Sequence, residues 1–283
     1  MGGAIFVGRN VVSARNVLWL HTLVMGVAGL IFFVYPKESA TLWPWQLPPL
    51  AARFMGSLFL GGAACSLACL RSRDDRGLFA MALLAVGDML IALTALPVLI
   101  DTGVTPRVIW FLVFFVGIAL LLILKLLPTA RGAANPQGMP VTRALRGFFV
   151  IHLIVVLPVG LSMYFVPAWA QPLWPWQMTP VNVRLIGSFF FGAALISMWA
   201  LRQPCEESLR PVLALYAFFA SMATIASVIH LGLFNPARIA TWAFFALYVF
   251  VAGGSWLLWL QAPKARAVSQ NPQREVPSES RSG

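Results

Sequence analysis

Eight stretches of the chain are apolar on every side, and the polar residues gather between them. They lie near 17–35, 50–70, 78–100, 108–127, 148–166, 181–201, 212–234 and 239–260. Each is about 20 residues long, the length a helix needs to cross a hydrocarbon core of roughly 30 Å. The strands of a membrane barrel would alternate apolar and polar positions, and these runs do not. The pattern predicts an all-α, polytopic membrane protein with eight transmembrane helices. Pro36, Pro128, Pro167 and Pro236 stand at or just past run ends, where a missing N–H and a fixed φ stop a helix. Pro97 and Pro158 lie inside runs and are expected to kink them.

The pattern repeats. Residues 42–71 and 173–202 align without a gap, and half of the thirty positions are identical. The identities include Trp43/Trp174, Pro44/Pro175, Trp45/Trp176, Gln46/Gln177, Arg53/Arg184, Gly56/Gly187, Ser57/Ser188 and Gly61/Gly192. At the same offset His21 matches His152, Gly29 matches Gly160 and Pro36 matches Pro167. The third and fourth runs match weakly. The chain therefore reads as two four-helix halves, 1–128 and 148–261, joined by a linker at 129–147 rich in Gly, Ala, Pro and Arg. The polar segment 262–283 reads as a disordered tail. Each half has an even number of spans, so both enter the membrane from one side, as a parallel repeat about an axis along the membrane normal.

Charge orients this arrangement. Only 10% of the residues are charged, and the formal net charge is +11. Lys37, Arg53, Arg107, Arg184 and Arg238 fall on one side, and the other fifteen of the 20 Lys and Arg on the opposite side. The positive-inside rule then places both termini in the cytoplasm. With the charges at helix ends and in a tail, they read as topology and lipid-headgroup contacts, not as a nucleic-acid surface. Trp43, Trp45, Trp110, Trp169, Trp174, Trp176 and Trp242 all land at the outer interface, where an indole is well accommodated. No cleavable signal is read at the N-terminus. The three cysteines form neither a disulfide framework nor a metal spacing.

Three groups of residues are candidates for chemistry. Arg53 and Arg184, with the neighbouring Trp43, Trp45, Trp174 and Trp176, would either anchor the outer interface or bind an anionic headgroup or substrate. His21 and His152, at equal depth on the first helix of each half, are the pair a bis-histidine haem b would need. Asp88 is the one acid near the middle of a run. A charged carboxylate there costs about 2.5–3.5 kcal/mol or more unless paired or protonated, which marks a proton relay, a cation site or an acid catalyst. Small residues spaced by four, Ser57/Gly61/Cys65 and Ser188/Gly192, read as a packing seam between the halves. No metal-ligand cluster, phosphate loop or hydrolase motif is present.

Trp43, Pro44, Trp45, Leu47, Pro49, Leu50, Ala52, Arg53 and Gly56 spell WPWxLxPLxARxxG. This resembles uncharacterised bacterial multi-pass membrane proteins. The second copy departs from it at Met178, Thr179 and Val183. The resemblance implies a bacterial cytoplasmic (inner) membrane and no activity. The residues themselves lead to an integral membrane binding or accessory protein, holding a lipid, an apolar small molecule or a partner membrane protein between its halves. The alternatives are a haem-b electron carrier through His21 and His152, a cofactor-independent isomerase or cyclase with Asp88 as the acid, and a transporter.

Overall fold

The computed structural model describes residues 3–72, 74–131 and 139–261, with side chains from Ala14 onward apart from Thr102. The tail 262–283 and linker positions 132–138 lie outside the described residues. The eight apolar runs form the long helices α1 (Gly3–Val34), α2 (Pro49–Arg71), α3 (Leu78–Thr94), α4 (Pro106–Arg131), α5 (Arg143–Phe165), α6 (Pro180–Ala200), α7 (Arg210–Ile229) and α8 (Ile239–Gln261). No strand occurs among the described residues. All eight apolar segments are long and apolar enough to cross a membrane. The chain is thus a multi-pass membrane protein, and side chains such as Leu23, Val113, Ile154 and Leu257 point outward, where lipid takes the place of a core.

Helix ends follow local chemistry. Pro49 and Pro180 open α2 and α6 behind extended residues, Pro48 and Thr179. Proline at the first turn forfeits only an N–H that has no helical partner there. Thr142 caps α5 by accepting from the Leu145 N–H. Pro36 and Pro167 each begin a short helix, Pro36–Ala40 and Pro167–Ala170, after residues of nearly identical conformation: Tyr35 at φ −114°, ψ 61° and Val166 at φ −127°, ψ 56°. The third run breaks where a kink was expected. α3 ends at Thr94, and Pro97 sits in the first turn of a separate short helix, Leu96–Thr102, closed by Gly103 at φ 71°. Pro158 is different, since α5 runs through it.

The halves interlock. α1 lies along α2, and α5 lies along α6 in the same manner. However, α2 packs next against α7, and α6 against α3, while α2 and α3 barely touch. α3 therefore rests on the second half and α7 on the first, while α4 packs along α1 of its own half. Lipid tails are as apolar as leucine, so close backbone approach has to hold such helices together. The small residues provide it. A Cβ on Gly56 would stand 2.8 Å from the carbonyl oxygen of Gly29, and one on Gly187 would stand 2.7 Å from the backbone nitrogen of Tyr164. Those are contacts within a half. Gly61 and Gly192 face the other half: a Cβ on Gly61 would meet the Leu215 carbonyl at 3.0 Å, and one on Gly192 the Gly87 Cα at 3.5 Å.

The tryptophan motif is mostly core. Trp43, Trp174 and Trp176 are buried in protein, with Trp43 only 1% exposed. They pack against protein, whereas Trp169 and Trp242 are exposed and suit the headgroup layer. Trp43 is enclosed by Phe32, Phe111 and Phe115 with ring centroids 5.7, 5.0 and 5.9 Å away. Trp176 packs across the halves on Phe54, with ring centroids 5.8 Å apart and planes tilted by 46°. Trp45 Nε1 donates to Oδ1 of Asn182 at 2.9 Å, and Asn182 Nδ2 donates to the Gln46 carbonyl at 3.3 Å. The first motif is thereby clamped onto α6. Asn182→Ala removes both bonds and leaves the Trp45 indole N–H without its acceptor. A loss of about 1–3 kcal/mol is expected, read as a lower melting temperature of the purified protein.

Candidate functional site

His21 and His152 line one interior cavity of about 80 Å³, together with Asp88. Its wall is drawn from both halves and is mostly apolar and aromatic. Such a lining with a few convergent polar groups is the usual make-up of a small-molecule site. The polar groups are built in by backbone contacts one turn away. Ser66 Oγ lies 2.6 Å from Nδ1 of His21, and Ser197 Oγ lies 2.9 Å from Nδ1 of His152. Ser66 bonds back to the Gly62 carbonyl at 3.1 Å, and Ser197 to the Ala193 carbonyl at 2.9 Å. The same construction thus occurs at the same offset, 131 residues on, in each half. Both imidazoles are buried, at 6% and 4% exposure, and Nε2 of each bonds to no described residue.

Asp88 stands midway along the span Asp75–Asp101. It is buried, and its carboxyl group bonds to no described residue. An unpartnered carboxyl at this depth is costly. Its counterpart at the repeat offset is Phe219, which lines the same cavity. Tyr216 and Tyr248 complete the polar set. The Tyr216 hydroxyl donates to the Ala193 carbonyl at 3.0 Å, and its ring packs 4.7 Å from that of His152. The Tyr248 hydroxyl, on a buried side chain, bonds to no described residue. Ser66, Ser197 and the two tyrosines were not singled out from the sequence. The serine pair was legible, since both lie at matched positions forty-five residues after the histidines. The tyrosines had no matched partner to draw attention to them.

The other sequence candidates sit elsewhere. Arg53 donates through Nε to the Phe33 carbonyl at 3.1 Å and through Nη1 to Nε2 of His230 at 2.5 Å. His230 follows the end of α7. Burial and then the Arg53 charge hold its pKa below the usual histidine value, so it is neutral at physiological pH and accepts. Arg184 makes no such bond with the described residues. The two arginines therefore play different roles in spite of matched positions, and neither lines the cavity. The four motif tryptophans do not line it either.

At the end of the bundle that carries the linker, a second polar cluster ties three loops together. Asp74 accepts from Arg76 at 2.9 and 2.7 Å and from the Ser208 hydroxyl at 2.6 Å, with Cys205 Sγ at 3.5 Å. Glu206 accepts from the Thr142 N–H at 3.1 Å. Burial alone would raise the Asp74 pKa, but the bonds from Arg76 and Ser208 outweigh it and hold the group below the ordinary carboxylate range. A depressed pKa contributes stability that is complete above the unfolded value, about pH 4, and is lost as pH falls through the folded value. Asp74→Asn should melt lower than wild type at neutral pH and show a shallower loss of melting temperature below about pH 4.

Among the described residues no group of three His, Cys, Asp or Glu stands close enough to hold a metal ion. Comparison with protein-family models, with curated proteins and with solved structures returns no match.

Proposed function

We propose that this chain is an integral membrane binding protein that holds a small, mostly apolar molecule between its two interlocked halves. One observation carries this reading. Asp88, His21 and His152 are buried and line one cavity walled by both halves, and neither the Asp88 carboxyl nor either Nε2 bonds to a described residue. A cavity of about 80 Å³ has room for several waters. Met25 and Leu84 line it, and flexible side chains of this kind let it widen around a guest. The reading is tested by purifying the protein in lipid nanodiscs, extracting it with organic solvent and analysing the extract by mass spectrometry. A species retained by wild type and absent from Asp88→Asn is expected. Identical extracts would contradict the reading.

An isomerase or cyclase using Asp88 as its acid is the second reading, because the same unpartnered carboxyl would face the bound molecule. Turnover of the extracted species on reincubation separates it from simple binding. Haem b fits less well. Two imidazoles share the cavity, but about 80 Å³ is far below the roughly 300–1,000 Å³ of sites for larger ligands. A Soret band in protein made with added haem would reinstate it.

The two halves are proposed to descend from one duplicated unit, inserted with both termini in the cytoplasm of a bacterial inner membrane. The charge asymmetry and the recurring His–Ser pairs support this. A reporter fused after Lys37 is expected to behave as external and one after Arg131 as cytoplasmic. The reverse pattern would overturn the orientation.

A further inference from the structure

The hydrogen bonds behind the two histidines decide what their exposed nitrogens offer. Ser66 has one hydroxyl hydrogen and two acceptor lone pairs. Its hydroxyl points back at the Gly62 carbonyl, and it also lies 3.8 Å from Met81 Sδ, so every neighbour other than the imidazole is an acceptor. Serines in membrane helices commonly spend their hydrogen on the carbonyl four residues earlier. With the hydroxyl hydrogen on that carbonyl, Nδ1 carries the proton and donates to Oγ. Ser197 is arranged similarly, with its hydroxyl on the Ala193 carbonyl and His152 Nδ1 at 2.9 Å; the Tyr216 hydroxyl, 3.4 Å from Ser197 Oγ, donates to the same carbonyl. Both histidines are therefore assigned as the Nδ1–H tautomer, which leaves a bare lone pair on each Nε2.

The wall then has a consistent character. Two imidazole lone pairs and the Asp88 carboxyl are acceptors, the Tyr248 hydroxyl is a donor without a described partner, and no Lys or Arg among the described residues lines the cavity, so acceptors predominate. The remaining surface includes Phe59, Phe190, Phe219 and the rings of Tyr216 and Tyr248, and aromatic faces attract cations. A site built from acceptors and aromatic faces is complementary to a positively charged hydrogen-bond donor on an apolar body. Asp88 has no counterpart at Phe219, so the chamber is polarised toward the first half and holds its guest one way round.

Resting on the binding reading above, we infer that the guest is an organic amine, bound as its ammonium with N–H donors directed at Asp88 and at Nε2 of His21 and His152. The test uses three probes of similar shape, phenethylamine, propylbenzene and hydrocinnamate, titrated onto protein in nanodiscs. Phenethylamine is expected to bind at least about tenfold more tightly than propylbenzene, and hydrocinnamate most weakly. Asp88→Asn, checked for folding by size exclusion, should remove the preference for the amine while propylbenzene still binds. Equal binding of amine and hydrocarbon would overturn this inference and leave the apolar binding reading standing. Preference for hydrocinnamate would overturn the inference, and no binding of any probe would overturn both. Nitrogen NMR of labelled imidazoles gives an independent readout on wild-type protein. Pyridine-type Nε2 signals are expected for both histidines, and a protonated Nε2 on either would overturn the acceptor wall.

Discussion

Replacing Gly56 and Gly187 together with valine is expected to abolish the folded protein. Each glycine faces backbone, not a side-chain tip. A Cβ on Gly56 would stand 2.7 Å from the Phe33 nitrogen and 2.8 Å from the Gly29 oxygen. On Gly187 it would stand 2.7 Å from the Tyr164 nitrogen and 2.9 Å from the Met163 carbonyl carbon. Backbone in a neighbouring helix yields only if the whole helix shifts, and overpacking costs typically 1–3 kcal/mol per site, occasionally more. Valine adds two further methyl groups to a contact that already excludes alanine. Because close approach, not water exclusion, holds membrane helices together, α1 would part from α2 and α5 from α6 at once. Size exclusion of a fluorescent fusion in mild detergent should show aggregate in place of the monodisperse peak. Gly117→Val is the control, since nothing lies within 4 Å of that position, and it should behave as wild type. A monodisperse double variant would mean that the glycine contacts do not set the helix spacing.

Asp88→Leu is expected to raise the melting temperature and to abolish ligand binding. In wild type the carboxyl is 9% exposed and has no partner among the described residues. A leucine there removes a cost on the order of 1–3 kcal/mol and fills part of the cavity. Gains in stability on losing a site residue are the usual sign that a residue is kept for function. A lower melting temperature would show instead that Asp88 is structural, held by an interaction such as an enclosed water. Binding in that variant should be lost outright, because the carboxyl is the one acid in the cavity wall.

Much of this architecture could be read from the residues, for physical reasons. Uncharged runs of twenty residues have few alternatives to a membrane helix, so all eight spans were legible to within a few positions. The proline-led starts at Pro49 and Pro180 followed from φ and the missing N–H. What the runs do not encode is which helix lies beside which. Their outward and inward faces are both apolar, so no stripe shows that α2 packs on α7 and α6 on α3. Trp43 illustrates the same limit. An indole suits an interface, but it suits an aromatic core equally well, and Phe111 and Phe115 come from a helix far along the chain. At the site, His21, His152 and Asp88 were each visible as polar residues in apolar runs. Their meeting in one cavity was not, since Asp88 breaks the repeat, and cross-half packing brings it to the histidines. Arg53 and Arg184 were legible as a pair, but their bonding differs, because His230 meets only Arg53.

The most direct test of the central claim is native mass spectrometry of wild type beside Gly62→Leu. A Cβ added at Gly62 meets only His21 Cε1, at 3.5 Å, with no backbone of another helix within 4 Å, so leucine is expected to extend into the cavity that Gly62 lines. A bound species is expected to be released from wild type and to be missing from a Gly62→Leu protein that is otherwise folded. The same bound species on both proteins, or none on wild type, would contradict the claim.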